Sequence, residues 1–311
     1  MYSLKELSKR PELFEAGHRA CAGCGFPQAV RLVLKATEHP VVVAVATGCL
    51  EVTSTVFPYT SWNCSFVHNA FENVAATISG IEAAHSALPR YGKDVGPRHF
   101  IAFGGDGASY DIGLQSLSGA LERGHRFLYV CYDNGAYANT GVQRSGATPR
   151  GAGTTTTPPG RFLDGKPQRR KDLTAIIAAH GIPYVAQAAI SNWRDLVRKA
   201  RRALDTDGPS FLNILTPCRL IWGTAPEETV DLVRHAVNSC FWPLFEVVDG
   251  RWKLNYKPKR RQSYVDWLRR QRRFAHLFDG RHDDLLAELE AEVEAAWRQL
   301  LERCGEVDDK S

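Results

Sequence analysis

No stretch of the 311-residue chain approaches the ~18 consecutive apolar residues that a membrane-spanning helix needs, so a membrane partner is not expected. The opening residues, Met1-Tyr2-Ser3-Leu4-Lys5-Glu6-Leu7, are mixed polar and lack the apolar centre of a secretory signal, which makes a cytoplasmic location the expectation. Zinc-finger, RNP and helix-turn-helix signatures are missing too, so nucleic acid is not an expected partner, and no internal repeat is evident. The net charge of +5 is local: Arg251 to Arg273 holds ten Lys or Arg against Asp266 alone, a pattern that reads as a solvated or subunit-docking face. Without an export signal, the eight cysteines point away from a disulfide framework and toward reduced thiols or metal ligands.

What is present is material for a large α/β core, with 44% hydrophobic residues. Val41 to Ala46 is apolar without alternation, as in a parallel strand covered on both faces; His99 to Phe103, Arg126 to Tyr132, Pro183 to Ala188 and Ser210 to Leu215 read as further strands. Helices are expected from Pro27 to about Lys35, Ala70 to Leu88, Asp111 to Arg123, Lys171 to His180, Asn192 to Leu204, Glu227 to Cys240 and Asp283 to Arg303. Residues 51 to 68 show no period and read as an irregular loop. Gly135 to Gly165, dense in Gly, Thr and Pro, is long enough to be functional or disordered; its start at a strand end favours function. Phe245 to Leu254 resembles a hairpin turning at Asp249-Gly250.

The chain is organised around Gly104-Gly105-Asp106-Gly107, between the strand ending at Phe103 and a helix. Glycines there let backbone approach a phosphate, although Gly-Asp-Gly alone is also an ordinary tight turn. Asn134 ends the next strand of the same βαβ unit, and ligands of such sheets bind outside the carboxyl ends of the strands. If the two strands are neighbours, Asp106 and Asn134 converge as hard oxygen ligands suited to Mg²⁺, a combination resembling the thiamin-diphosphate motif.

Cys21-Ala22-Gly23-Cys24, taken alone, could be a zinc half-site, a redox pair or chance. With strand-end Cys49 and Cys218, four thiols can gather on one sheet edge and ligate either zinc or an iron–sulfur cluster. A structural zinc has no reason to adjoin a cofactor site, whereas an electron acceptor must. Cys64, Cys131, Cys240 and Cys304 fit no ligand spacing and read as small buried hydrophobes; His68 and His85 read as packing or helix-terminus residues.

The motifs Ala20-Cys21-Ala22-Gly23-Cys24-Gly25, Gly48-Cys49-Leu50-Glu51, His68-Asn69-Ala70-Phe71-Glu72-Asn73, Gly105-Asp106-Gly107 and Tyr137-Ala138-Asn139-Thr140-Gly141-Val142-Gln143-Arg144-Ser145-Gly146-Ala147-Thr148-Pro149 resemble the β subunits of 2-oxoacid:ferredoxin oxidoreductases, most closely those acting on pyruvate. The likeness continues through His180-Gly181-Ile182-Pro183 and Trp242-Pro243-Leu244 into the basic tail. It implies a thiamin-diphosphate-binding α/β fold with a mostly parallel sheet flanked by helices, residues 1–240 forming the cofactor domain and 241–311 a C-terminal extension for subunit contacts. It further implies a 4Fe-4S cluster on Cys21, Cys24, Cys49 and Cys218, and Mg²⁺ on Asp106, Asn134 and the Ala136 carbonyl. Gly105, Asp106, Gly107 and Ala108, with Asn134, Gly135, Ala136, Tyr137, Ala138 and Asn139, and Cys49 beside them, would surround thiamin diphosphate, Asn139 being the catalytic residue near the substrate. The implied reaction is CoA-dependent oxidative decarboxylation of pyruvate, other 2-oxoacids such as oxalate or a branched-chain 2-oxoacid being the nearer alternatives and a non-catalytic zinc-binding assembly subunit the further one. The implied partners are an α subunit, a γ subunit, a ferredoxin-like subunit and external ferredoxin. The glutamate that activates thiamin comes from a partner in this family, so the chain alone is expected to be inactive. One departure is Arg219, which follows Cys218 where many members have proline.

Overall fold

Alternate residues of one short run feed two cores. Val43 and Val45 of β1 (Val41–Ala46) pack on one side of a sheet, while Ala44 and Ala46 pack on the other, where their small size lets a helix approach. The chain, a computed structural model, is described at residues 3–93 and 95–306; Met1 and Tyr2 of the polar opening and 307–311 of the C-terminal segment lie outside the described residues.

After α1 (Leu4–Ser8) and α2 (Phe26–Leu34), β1 leads into α3 (Cys49–Ser54), β2 (Ser65–Asn69), α4 (Val74–Ala87), β3 (His99–Gly105), α5 (Leu114–Glu122) and β4 (Leu128–Asp133). The second half runs α6 (Leu173–Ala178), β5 (Tyr184–Ala189), α7 (Trp193–Asp205), β6 (Ser210–Leu215), α8 (Arg219–Trp222), α9 (Thr229–Asn238), β7 (Phe245–Val248), β8 (Arg251–Leu254), α10 (Tyr264–Arg269) and α11 (Asp283–Cys304). The eight strands lie in the order β2-β1-β3-β4-β6-β5-β7-β8. Strands β1 to β6 are parallel, and the hairpin β7–β8 adds two antiparallel strands beside β5. The 241–311 segment therefore lends strands to the main sheet, and its α11 buries Trp297, Leu300 and Leu301 in the same core as α4 and α5.

Two expected elements differ. Residues 51 to 68 are not wholly irregular: α3 and the edge strand β2 lie there. Helix α3 is short, and its second half, Val52, Thr53 and Ser54, is of weak helix propensity; the Thr53, Ser54 and Thr55 hydroxyls are satisfied by the carbonyls of Cys49, Leu50 and Glu51 at 2.7, 2.6 and 2.8 Å. Strand β2 is half exposed at the sheet's edge, so it carries no buried apolar run. The helix expected from Asp111 is likewise split, into a π-helical turn Gly107–Ile112 and α5. A Cβ on Gly113 would stand 2.2 Å from the Ala108 carbonyl oxygen, so the wide turn depends on glycine there. Among the described residues no helix is long and apolar enough to cross a membrane.

Candidate active site

Strands β3 and β4 pair in register up to Gly105 opposite Tyr132, so the residues that follow them leave the sheet side by side. Asp106 and Asn134 thereby meet: the Asn134 N–H donates to Asp106 Oδ1 at 3.4 Å. The Ser145 hydroxyl, from the long loop, donates to Asp106 Oδ2 at 2.5 Å. Asp106 is 1% exposed, and burial, reinforced by the charge of Asp133, holds its carboxyl well above the ordinary range despite those two donors. Asp133 is better provided for. Its Oδ2 accepts from the Tyr110 hydroxyl and from Arg170, each at 2.7 Å, and its Oδ1 accepts from the Gly135 N–H at 3.0 Å. One of two adjacent buried carboxylates thus has a cation and the other has only neutral donors.

A cavity of about 160 Å³ opens beside Asp106. Of the residues expected around a cofactor, Cys49, Gly105, Asp106, Gly107, Asn134, Ala136, Tyr137, Ala138 and Asn139 line it, whereas Ala108 and Gly135 are buried behind it. The Tyr137 ring lies so close to the turn that a Cβ on Gly107 would fall 2.4 Å from it, and the Tyr137 hydroxyl donates to Asp111 Oδ2 at 3.1 Å. Asn139 is exposed at the mouth, its Oδ1 3.9 Å from Cys49 Sγ. Asp106, Asn134 and Ala136 line the cavity together and carry oxygens of the kind that suits Mg²⁺, and in this structure Asn134 Oδ1 accepts from the Ala136 N–H at 3.2 Å.

The four expected thiols share one neighbourhood. The Gly25 N–H donates to the Pro217 carbonyl at 3.1 Å, seating the Cys21–Cys24 loop against the end of β6, and Cys218 caps α8. Burial pushes the Cys24 and Cys49 thiols up to about 12, and each also feels the charge of Cys218 and Cys21. Cys218 is raised by burial too, while the N–H groups of Ile221 and Leu220 oppose the shift. All four are free, Cys21 being exposed. Among the described residues no three His, Cys, Asp or Glu stand as a ready-made metal-ion set; what the fold brings near one another is a soft, cysteine-only group of thiols. Of the remaining cysteines, Cys131 and Cys240 are buried, and Cys64 and Cys304 are half-buried. His68 lies on β2 and bonds the Thr47 hydroxyl at 2.9 Å; His85 packs edge-on to Phe100.

Sequence reasoning missed Phe71 and Tyr132, which line the cavity, and Ser145, Tyr110 and Arg170, which hold the two aspartates. Phe71 and Ser145 lay inside quoted motifs; Arg170 sits in a Gln-Arg-Arg-Lys run with nothing local to mark it as partly buried.

Comparison with known proteins fits this geometry. Residues 46–214, more than half of the chain, match the family described as thiamine pyrophosphate enzyme, C-terminal TPP binding domain. The pyruvate synthase subunit PorB of Methanocaldococcus jannaschii is 50% identical over 272 residues, covering 87% of this chain and 91% of the relative. The subunit of that name from Thermotoga maritima is 46% identical over 304 residues, covering 96% and 94%. A solved structure of 2-oxoglutarate:ferredoxin oxidoreductase from Magnetococcus marinus, with 2-oxoglutarate, coenzyme A and succinyl-CoA bound, superposes with a TM-score of 0.55 at 22% identity, covering 67% of this chain and 68% of that one, and supports the fold. The chain belongs to the thiamine-pyrophosphate enzymes and, among them, to the PorB family of 2-oxoacid:ferredoxin oxidoreductase subunits.

Proposed function

We propose that the chain is the subunit of a pyruvate:ferredoxin oxidoreductase that holds thiamin diphosphate, Mg²⁺ and one 4Fe-4S cluster, in a complex carrying out reversible, CoA-dependent oxidative decarboxylation of pyruvate. The observation that carries this reading is the convergence of Asp106, Asn134 and Cys49 on one cavity at the carboxyl ends of β1, β3 and β4. Thiamin diphosphate supplies, when bound, the carbanion chemistry that cleaves the bond to the carboxylate.

The chain's own residues supply position and charge. Asp106, Asn134 and the Ala136 carbonyl would hold Mg²⁺, and the Gly105–Ala108 turn would set backbone against the diphosphate. Asn139, exposed at the mouth, can donate from its side-chain amide to a substrate oxygen, and it is the chain's catalytic residue in this reading. Cys21, Cys24, Cys49 and Cys218 would hold the cluster, with Cys49 lining the cavity so that cluster and cofactor adjoin. Two features support completion of the site by another subunit. The cavity is smaller than the ~300–1,000 Å³ of a typical enclosed small-molecule site. Among the described residues Asp106 is the only acid lining it, and with Asp106 given to Mg²⁺ none of them offers a carboxylate to activate an aminopyrimidine. An α subunit would bring that group, and γ and ferredoxin-like subunits and external ferredoxin would take the electrons.

The test is an anaerobically purified complex assayed with pyruvate, oxalate and 2-oxoisovalerate, CoA and a low-potential acceptor. CoA-dependent reduction with pyruvate by a brown, iron-containing preparation is the expected result. Reduction with oxalate or 2-oxoisovalerate but not pyruvate would overturn the substrate, and a colourless protein holding one zinc would overturn the cluster.

A further inference from the structure

The basic stretch that read as a solvated face contains one arginine that is not solvated. Arg273, in the short 3-10 helix Arg272–Phe278, is 7% exposed. Its Nε donates to the Gln271 side chain at 2.9 Å, but its Nη1 is buried with no hydrogen-bond partner, and among the described residues it makes no ion pair. A buried cation without a counter-ion is costly to the fold, so its surroundings bear on its purpose.

Arg273 stands between the two groups of functional residues. Its guanidinium carbon lies 4.8 Å from the centre of the Trp222 ring, and Trp222 closes the one-turn helix α8 that Cys218 caps. The Trp222 indole N–H donates in turn to the Asn134 carbonyl at 2.9 Å. On its other side, Nη1 reaches the Asn134–Ala136 turn: it is 3.0 Å from where a Cβ on Gly135 would stand. Its backbone carbonyl accepts from the Gly153 N–H at 2.8 Å, which fixes the helix against the long loop. Burial lowers its pKa to about 10, with Tyr264, Asp133, Cys218 and Asp106 opposing, so the group is cationic at neutral pH.

We infer that Arg273 is a positioning residue whose buried charge raises the reduction potential of the cluster held through Cys218, while the Trp222 it stacks on holds the Asn134 turn. The inference rests on the proposed cluster. The sign follows from electrostatics: reduction adds negative charge to the cluster, and a fixed cation nearby stabilises the reduced form more than the oxidised one. Arg273 would thus help the cluster accept electrons from the adjoining cavity.

The test is an anaerobic redox titration of the assembled complex, followed by EPR and confined to the signal that a Cys218→Ser complex lacks. Arg273→Met is expected to shift the reduced-to-oxidised ratio at fixed potential about tenfold toward oxidised, a midpoint lower by about 59 mV for one electron. Arg273→Lys is expected to retain most of the wild-type midpoint. Trp222→Phe keeps the aromatic seat and the charge but loses the indole N–H; it should leave the midpoint in place and weaken thiamin diphosphate retention several-fold. A purely structural Arg273 would alter melting temperature or iron content without moving the midpoint. If Arg273→Met does not assemble, Arg273→Gln, which also removes the charge, is titrated instead. An unmoved midpoint in an intact, iron-loaded neutral variant overturns this inference alone, whereas a wild-type complex with no Cys218-dependent signal overturns the cluster reading and this inference with it.

Discussion

The two ends of strand β3 handle a buried titratable group in opposite ways. At the amino end, His99 is 8% exposed, packs edge-on to His39 at 5.1 Å between ring centres, and has an Nδ1 without a partner. Burial, with His39, Arg126 and Arg201 adding to it and Asp205 opposing, pushes its pKa down to about 4, so the ring stays neutral and the fold is self-sufficient there. At the carboxyl end, Asp106 is more deeply buried, sits beside a second carboxylate, and is given only a hydroxyl and an amide. Neighbouring Asp133 has Arg170, so the chain can supply a counter-charge where the fold alone needs one. Of His99 and Asp106, the one whose charge goes uncompensated lies at the end of the sheet where parallel α/β proteins bind ligands, which marks where the protein relies on something it does not encode.

That contrast can be broken at three places. The largest effect is expected from Asp106→Asn, which keeps the shape and removes the charge. Activity of the assembled complex should fall on the order of 10³-fold, as when a preorganised electrostatic group is lost. Without cofactor the same variant should melt no lower than wild type, because the uncompensated carboxylate is gone; calorimetry of the cofactor-free protein checks the sign. Next is Arg170→Met, which strips Asp133 of its cation and should destabilise the fold by about 3–5 kcal/mol in urea unfolding. If Asp106→Asn destabilises as much as Arg170→Met, the two carboxylates do not differ as described.

The smallest effect belongs to the amino end. His99 binds a proton near pH 4 when folded and near the ordinary histidine value of about 6.5 when unfolded, so between those values the unfolded chain holds more protons. Its stabilising contribution is complete above the unfolded value and is lost as pH falls toward 4, at most about 3 kcal/mol. His99→Phe should flatten that part of the stability–pH profile, and an unchanged slope would show that His99 is not the group responsible.

Local pattern made much of this visible. Strands β1 and β6 and the hairpin β7–β8 follow from apolar runs and an Asp-Gly turn, which need no tertiary information. The adjacency of Asp106 and Asn134 followed from one βαβ unit, because consecutive parallel strands tend to pair. Elements with a weak local signal were not legible: α3 is six residues long with a second half of weak helix propensity, and β2 is a half-exposed edge strand. Arg170 and Arg273 were hidden for a related reason. Both lie in basic runs whose other members are mostly exposed, and only the packing of distant segments half-buries Arg170 against Asp133 and buries Arg273 against Trp222.

The most direct test of the claim that the carboxyl end of the sheet holds charge for a ligand is retention of thiamin diphosphate by the assembled complex after divalent cations are chelated. Wild type should release the cofactor and regain it when Mg²⁺ is returned, and an Asp106→Asn complex of unchanged size and iron content should remain empty in both conditions. Equal, Mg²⁺-dependent binding by wild type and Asp106→Asn would contradict it.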